Sequence, residues 1–262
     1  MPNYGRFQKG KKIFFGEVRG EKVLELGGDP MLKKQRPLRS HPLKSLKVLS
    51  PVEPSKIIAV GLNYADHAKE SGKETPKEPL IWFKAPTSVL AHEEIIRVPY
   101  PDHRTDYEAE LCVVIGKRAK GISESRALSH VFGLTCSQDI SDRTIQFAES
   151  QWARAKSFDT FTPLGPFIRT DLDSSDLEIK LLQNGEVRQN SRTSQLIFNV
   201  PFLVSFLSQH ITLLPGDIIQ TGTPSNVQPI KEGDRLEVRI EGLAPLKNNV
   251  ANAHRFQNLS TS

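Results

Sequence analysis

Residues 105 to 117, TDYEAELCVVIGK, constrain the fold more than any other stretch of the sequence. The segment is rich in Val, Ile, Leu and Tyr and ends in Gly-Lys, a composition that predicts a buried strand. Successive side chains of a strand point to opposite faces, so Glu108 and Glu110 share one face. Cys112 and Val114 continue that face and are apolar. The pattern therefore predicts that the two carboxylates stand where the face enters the interior.

Two neighbouring carboxylates repel each other, and burying them without a partner is costly. We therefore expect a cation beside Glu108 and Glu110, and a hard divalent ion with oxygen ligands is the simplest one. The alternative is that both side chains face solvent on the polar side of an amphipathic strand. The apolar continuation of their face favours the buried site.

The 262 residues, 37% hydrophobic and 25% charged, are typical of a soluble globular protein that can bury a full core. No run approaches the roughly 18 apolar residues of a membrane span, and the N-terminal MPNYGRFQKGKK lacks the apolar core of a signal peptide. We therefore expect a cytoplasmic protein without a membrane partner. Cys112 and Cys136 lie in apolar runs, which favours packing as small hydrophobic residues over a disulfide.

Positive charge is concentrated near the N-terminus. Residues 1–50 hold twelve Lys and Arg against four Asp and Glu, a net charge of +8. A nucleic-acid binder would combine such a segment with aromatic residues or a recognisable module, and neither is clear. We expect no nucleic-acid partner and interpret the segment as a solvated or dimer surface.

The chain is expected to divide near residue 50. Residues 4–26 show short strand-like runs separated by turns at Lys-Gly and Arg-Gly pairs. Residues 27–55 contain GGDP and four further prolines, a composition that predicts a connector. We therefore predict a small N-terminal β-unit with its linker at 1–50 and a catalytic domain at 51–262.

Strand signals outnumber helix signals in the larger part. Asn184-Gly185 predicts a type I′ hairpin turn, and Asn199 with Pro201 predicts the start of a helix. The other helical segments are short. Further strands are predicted at 57–61, 80–90, 131–137, 218–221 and 235–241. Many strands with few short helices predict an α+β, β-rich fold rather than a parallel βαβ sheet.

One short helix is of particular interest. Asn63 is predicted to cap it, and His67 and Glu70, three residues apart, would share a face. The polar, Gly- and Pro-containing segment 71–79 that follows resembles a mobile lid. Without other information a His and a Glu at this spacing are more often a surface pair.

Eight motifs link these pieces to a known family. They occur in one order between about residues 50 and 250: IIAVGLNYADHAKE, FKAPTSVL, DYEAELCVVIGK, QDISDR, WARAKSFDTFTPLGPFI, LLQNGEVRQ, LLPGDIIQTGTP and EGDRLEVRIEGLAPLKN. Together they resemble the fumarylacetoacetate hydrolase family. The resemblance implies a mixed β-sheet roll, like the C-terminal domain of that family, and a homodimer.

The resemblance also implies roles for individual residues. Glu108, Glu110 and Asp139 would bind a divalent ion, Mg²⁺ or Mn²⁺. The catalytic residues would be Lys156, which reaches the substrate, and a water-activating pair on the lid, His67 and Glu70. The residues that would contact the substrate are Arg143, Gln146 and Thr223.

The sequence departs from the family pattern at three places. Gln138 stands where Asn is usual, Asp142 where a small residue is usual, and Ala155 where Gly is common. Asp142 would either weaken the binding of a dianionic substrate or point away from the site. None of the departures removes a metal ligand.

These residues suit the chemistry of 2-oxo acids. A 2-oxo acid can fill two coordination positions of the ion, which then stabilises an enolate as a Lewis acid, while Lys156 and Arg143 offset further charge. We predict a divalent-metal-dependent enzyme that acts through a metal-bound enolate, by C–C bond hydrolysis of acylpyruvates or by decarboxylation of oxaloacetate-like acids. The alternatives are an isomerase or decarboxylase of a 2-hydroxy-dienoate diacid in aromatic-compound catabolism, and a catalytically silent relative that binds dicarboxylates.

Overall fold

The computed structural model describes residues 2–33, 35–70 and 75–253, except for the side chains of His67 and Ala68. The strands are β1 Asn3–Lys9, β2 Lys12–Arg19, β3 Lys22–Leu26, β4 Pro37–Pro42, β5 Lys47–Leu49, β6 Ile57–Gly61, β7 Leu80–Lys84, β8 Val89–Leu90, β9 Ile95–Val98, β10 Thr105–Asp106, β11 Ala109–Ile115, β12 Val131–Gln138, β13 Ser141–Asp142, β14 Thr162–Arg169, β15 Glu178–Gln183, β16 Glu186–Arg192, β17 Ile218–Gln220, β18 Arg235–Ile240 and β19 Leu246–Asn252.

The helices are short. They are α1 Ala65–Glu70, α2 Glu124–Ala127, α3 Arg143–Ala148, α4 Ala153–Lys156 and α5 Val200–His210, with 3₁₀ turns at Leu43–Ser45, Pro86–Ser88, Leu128–His130 and Thr193–Gln195. In the part of the chain that the structure describes, no helix has both the length and the apolar character needed to cross a lipid bilayer.

Most strands belong to two sheets. The larger has the order β4-β3-β2-β1-β14-β12-β11-β17-β6-β7, with β5 paired to β1 and β8 to β14. The second has the order β16-β15-β18-β19-β9, and β10 and β13 form a separate pair. Antiparallel pairs predominate, while β17–β6, β14–β8 and β19–β9 are parallel. The predicted β-rich α+β fold with mixed sheets is thus confirmed.

Strand β11 is buried on both faces. Leu111 and Val113 pack in the main core, to which the second sheet and α5 contribute, while Cys112 and Val114 pack on the opposite side with Ile57. The predicted alternation is therefore correct. The predicted single strand over 105–117 is wrong, because the chain changes sheets: β10 pairs with β13, and β11 pairs with β12.

The prediction of a connector over 27–55 is also wrong, since β4 and β5 lie there. Pro37 and Pro42 are the end residues of β4. Because β4 is an edge strand, a missing N–H at these positions is tolerated without disrupting an interior ladder. Strand β1 pairs with β14, so the N-terminal strands continue the sheet of the larger part. A domain boundary near residue 50 stays a prediction.

Two predicted turn and cap signals are confirmed and one is wrong. Asn184 and Gly185 have φ values of 56° and 87° at the hairpin between β15 and β16. The Asn199 side chain accepts a hydrogen bond of 2.9 Å from the Phe202 N–H and so caps α5. Asn63 does not cap α1, which begins at Ala65, because its Oδ1 accepts a hydrogen bond from the Phe198 N–H at 2.8 Å.

Candidate metal centre and active site

Three carboxylates meet where β11 and β12 run side by side. Glu110 is in β11, Glu108 directly precedes it, and Asp139 directly follows β12. The strands are antiparallel, and the Asp139 N–H donates to the Glu108 carbonyl at 3.0 Å. One carboxylate oxygen from each side chain lies within 4.8 Å of the others. The side chains predicted as metal ligands are thus adjacent, and all three residues are at most 5% exposed.

Two buried lysines contact these carboxylates. Lys156 Nζ donates to Glu108 Oε2 at 2.9 Å and to Asp139 Oδ2 at 2.7 Å. Lys84 Nζ donates to Asp139 Oδ1 and to the Phe161 carbonyl. Sequence reasoning missed Lys84. The available signal was a lysine at the end of the apolar run LIWFK, which resembles an ordinary charged strand end.

The surroundings of Glu110 and Glu108 shift the pKa values of the two carboxyl groups in opposite directions. Burial raises the pKa of Glu110 well above 4.5, and the neighbouring Asp139 and Glu108 charges raise it further. Burial would also raise the pKa of Glu108, but Lys156 and Arg143 outweigh it and lower that pKa to about 2.

The pKa values of the two lysines, Lys84 and Lys156, are also shifted in opposite directions. Burial lowers the pKa of Lys84, and its ion pair with Asp139 offsets only part of that effect. Burial would lower the pKa of Lys156 as well, but the attraction of Asp139 and Glu108 raises it overall. Groups whose pKa values are pushed apart in one cluster are typical of catalytic sites.

A glycine holds the third carboxylate. The Gly222 N–H donates to Glu110 Oε2 at 2.8 Å. Gly222 has a φ of +99°, and a Cβ there would lie 2.9 Å from the Asn63 Cβ. Only glycine meets both demands without strain. The glycine of the GTP motif is therefore part of the site, a role that sequence reasoning did not assign.

The donor set fits a hard divalent ion. Glu108, Glu110 and Asp139 carry three negative charges when ionised, against two ammonium groups in direct contact. The ion-pairing guanidinium of Arg143 is shared between Glu108 and Asp106. Carboxylate oxygens are the ligands that Mg²⁺ and Mn²⁺ prefer. These three residues would hold such an ion.

A cavity of about 320 Å³ opens at the triad. Six residues predicted for the site line it: Glu108, Glu110, Arg143, Gln146, Lys156 and Thr223. Asp139 is fully buried and contacts Lys156. The further lining residues include three aromatic residues, Trp82, Phe147 and Trp152, and the charged Arg104 and Asp106. The ring of Trp82 lies 4.9 Å from Lys156 Nζ, a cation–π contact.

Arg143 is bound to protein atoms on all three nitrogens. Nε donates to Asp106 Oδ2 at 2.9 Å, Nη1 donates to Gln146 Oε1 at 2.7 Å, and Nη2 donates to Glu108 Oε1. These contacts fix the orientation of Glu108. A direct contact between Arg143 and substrate stays a prediction.

The lid residues are only partly described. The Glu70 carboxylate accepts hydrogen bonds from the Asn226 N–H at 3.1 and 3.0 Å, and Asp66 accepts one from the Ser191 hydroxyl at 3.0 Å. The side chain of His67 and residues 71–74 lie outside the described residues. The water-activating pair and the lid therefore stay predictions.

The departures from the family pattern have different outcomes. Asp142 is fully buried and caps α3, with Oδ1 accepting from the Ile145 N–H at 3.0 Å and Oδ2 lying 2.7 Å from His103 Nδ1. Asp142 is absent from the described cavity lining. The structure therefore fits the alternative in which its side chain points away from the site, and not the one in which it weakens the binding of a dianionic substrate. Nothing in the structure explains Gln138, whose buried amide has no hydrogen-bond partner among the described residues.

Comparison with known proteins agrees with the geometry. Residues 56–251 match the model described as "Fumarylacetoacetate (FAA) hydrolase C-terminal", and residues 3–51 match "Rv2993c-like, N-terminal". A protein from Archaeoglobus fulgidus is 44% identical over 96% of this chain and 97% of its own length. The mitochondrial oxaloacetate tautomerase FAHD2A of Bos taurus is 41% identical over 80% of this chain and 71% of its own length.

A solved structure extends the similarity to the whole fold. The 2-hydroxyhepta-2,4-diene-1,7-dioate isomerase from Mycobacterium marinum is 35% identical, with a TM-score of 0.90 over 97% of this chain and 100% of that chain. The match of a family model to three quarters of the chain, together with these relatives, is decisive. The chain belongs to the fumarylacetoacetate hydrolase family.

Proposed function

We propose that this protein is a divalent-metal-dependent enzyme that forms the enolate of a 2-oxo acid and returns a proton to it, which makes it a tautomerase or isomerase. The observation that carries the proposal is the buried triad of Glu108, Glu110 and Asp139, two members of which, Glu108 and Glu110, line a cavity. Relatives named as an oxaloacetate tautomerase and a dienoate isomerase support proton transfer as the reaction. Oxaloacetate and related 2-oxo acids are the substrates we propose.

The ion, Mg²⁺ or Mn²⁺, would supply Lewis-acid polarisation of the substrate. The protein's own residues would stabilise developing negative charge and transfer a proton. Lys156 lines the cavity and contacts two of the proposed ligands, so its ammonium group stabilises negative charge that develops on the substrate oxygen. When the enol form converts to the keto form, the enol O–H bond breaks and a C3–H bond forms. We propose that the Lys156 ammonium group, which lines the cavity, donates the proton to C3 and is reprotonated by the proton that the enol releases.

The test follows the decay of enol-oxaloacetate with protein that was stripped of metal and reloaded with Mg²⁺ or Mn²⁺. We expect Asp139→Asn and Glu110→Gln to lower kcat/KM by about 100-fold or more, because the polarising charge is lost. Full metal-dependent activity in both variants would refute the proposal.

Hydrolysis of the C–C bond in acylpyruvates is the second candidate. It is favoured by the position of α1, which carries His67 and Glu70: Glu70 accepts from Asn226, and the next residue, Val227, lines the cavity. Water activation needs a base, whereas decarboxylation or tautomerisation of oxaloacetate does not depend on that water. His67→Ala should therefore abolish acylpyruvate cleavage and leave most of the oxaloacetate reaction.

We further propose that two copies form a homodimer. Strand β7 is an edge of the larger sheet, and its Leu80 and Phe83 are 43% and 48% exposed. Exposed apolar edge strands are usually covered by another chain or protected by charge. Light scattering should give twice the mass of one chain for the wild type, and Phe83→Lys should shift the mass toward one chain. A monomeric wild type would contradict this proposal.

A further inference from the structure

Arg104 lies in the cavity wall with part of its guanidinium available. Its side chain is 54% exposed, and it lines the same cavity as the triad. Nε and Nη2 donate to the two carboxylate oxygens of Asp106, each at 2.9 Å. This bidentate pairing fixes the plane of the guanidinium. Over the ranges described, Nη1 has no hydrogen-bond partner.

Arg143 differs from Arg104 in this respect. All three nitrogens of Arg143 donate to protein oxygens, and its side chain is 9% exposed. Both arginines bind Asp106, and Arg143 also binds Glu108. Among the described contacts, Arg104 pairs with Asp106 and with none of the triad carboxylates, to which it is connected through Asp106 and Arg143. If one end of a ligand is bound at the triad, we expect its other end to contact Arg104.

The net charge of the cavity also favours a ligand with a second negative group. Its lining residues and their two buried partners carry four positive and four negative groups: Lys84, Arg104, Arg143 and Lys156, and Asp106, Glu108, Glu110 and Asp139. A divalent ion would leave this set with an excess of +2. A dianion would neutralise the excess, whereas a monoanion would leave one positive charge in a partly desolvated site.

We propose that Arg104 binds the second carboxylate of a 2-oxo dicarboxylic acid whose 2-oxo acid end is held at the triad. The inference rests on the proposed function and adds the residue that selects the substrate class. Trp82, Phe147 and Trp152 provide an apolar wall for the carbons between the two ends. Arg104 is thus a specificity residue and takes no part in the chemical step.

Binding of unreactive matched acids tests this separately from turnover. The pairs are 2-oxoglutarate with 2-oxovalerate and 2-oxoadipate with 2-oxohexanoate, which differ only in a terminal carboxylate or methyl group. Calorimetry of the Mg²⁺-loaded protein should show at least one diacid binding about tenfold or more tighter than its partner. Arg104→Gln should remove that preference and change the affinity for the monoacid less than about twofold.

Two further variants sharpen the result. Arg104→Lys keeps the charge without the planar fork and should retain part of the preference. Arg154→Gln is the matched control, because Arg154 also pairs with a carboxylate, Glu149, and is 56% exposed, but does not line the cavity. An unchanged diacid preference in Arg104→Gln would overturn the inference and leave the proposed function standing. Absence of binding by every 2-oxo acid to the wild type would overturn both.

Discussion

Two clusters of buried charge lie in different parts of the molecule and are balanced differently. In the N-terminal strands a single carboxylate, Glu25, receives three basic partners: Lys12 at 2.5 Å, His41 at 2.8 Å and Arg39 at 3.4 Å. In the larger part, three carboxylates, Glu108, Glu110 and Asp139, crowd together. Their basic partners are Lys84, Lys156 and Arg143, and Arg143 also pairs with Asp106. Glu25 thus has more basic partners than carboxylate charges, whereas the triad has no such surplus.

The partners also differ in burial. Lys12 and Arg39 are 54% and 66% exposed, so they reach Glu25 from solvent. Lys84 and Lys156 are 0% and 2% exposed. Enclosing two ammonium groups and three carboxylates is costly for folding, and such a cost is common where a site serves function. The comparison suggests that several adjacent carboxylates without a surplus of basic partners, and not burial alone, distinguish a candidate metal site from a structural ion pair.

The largest expected difference between the two clusters is in activity. Glu110→Gln should lower kcat/KM for oxaloacetate by about 100-fold or more, because it removes a charged carboxylate that we propose binds the metal. Glu25→Gln should change it by less than about twofold, since Glu25 lies in the N-terminal strands. Steady-state kinetics with both variants at saturating Mg²⁺ measures the contrast. Equal losses of activity in the two variants would contradict a catalytic role that is specific to the triad.

Metal should stabilise the fold through one cluster only. At 100 times the dissociation constant, a single bound ion stabilises the native state by about 2.7 kcal/mol. We expect this Mn²⁺-dependent rise in melting temperature in the wild type and in Glu25→Gln, and its loss in Glu110→Gln. Without metal, Glu110→Gln should melt no lower than the wild type, because the substitution relieves repulsion from Glu108 and Asp139. Scanning calorimetry with and without a chelator gives all of these values.

A pair of glycines tests how tightly each region is packed around its charges. Gly222 and Gly10 both have positive φ, but a Cβ at Gly222 meets the Asn63 Cβ at 2.9 Å, whereas one at Gly10 meets nothing within 4 Å. Ala at either position costs about 1–2 kcal/mol of backbone strain. Gly222→Ala should cost about 1–2 kcal/mol more in urea unfolding, from overpacking. Equal effects would show that the packing around Glu110 is loose.

The smallest effect concerns the pH dependence of the Glu25 cluster. Hydrogen bonds from Lys12 and His41 lower the pKa of Glu25 below the ordinary 4.5. Its ionised form is thus favoured by folding, and the stabilisation is present above pH 4.5 and lost as the pH falls through the folded pKa. Glu25→Gln should lower the free energy of unfolding by about 1 kcal/mol at pH 7. That difference should shrink toward zero in acid, and a constant difference would argue against an ionised Glu25.

The sequence predicted the parts of the site that depend on local pattern. Alternation along residues 105–117 placed Glu108 and Glu110 on one face, and both are buried as expected. Asp139 was expected from its motif, since alone it could have been a loop residue. Its place beside Glu108 comes from the pairing of β11 with β12, a contact between distant residues that no local pattern specifies.

The features that the sequence did not reveal depend on tertiary contacts. Lys84 ends an apolar strand and resembles a solvated charge until β7 is placed beside β6, where its ammonium group meets Asp139. The prolines of β4 indicated a connector, because only the sheet order reveals an edge strand. No sequence pattern predicted a role for Arg104, since that role depends on its pairing with Asp106 and on its position in the cavity wall.

Direct measurement of metal binding tests whether the three buried carboxylates hold one divalent ion. Titration of metal-free protein with Mn²⁺, followed by electron paramagnetic resonance of the free ion, gives the stoichiometry and affinity. The wild type and Glu25→Gln should bind about one Mn²⁺ per chain, and Glu110→Gln and Asp139→Asn should bind it at least about tenfold more weakly. Undiminished Mn²⁺ binding in both triad variants would contradict a metal site at Glu108, Glu110 and Asp139.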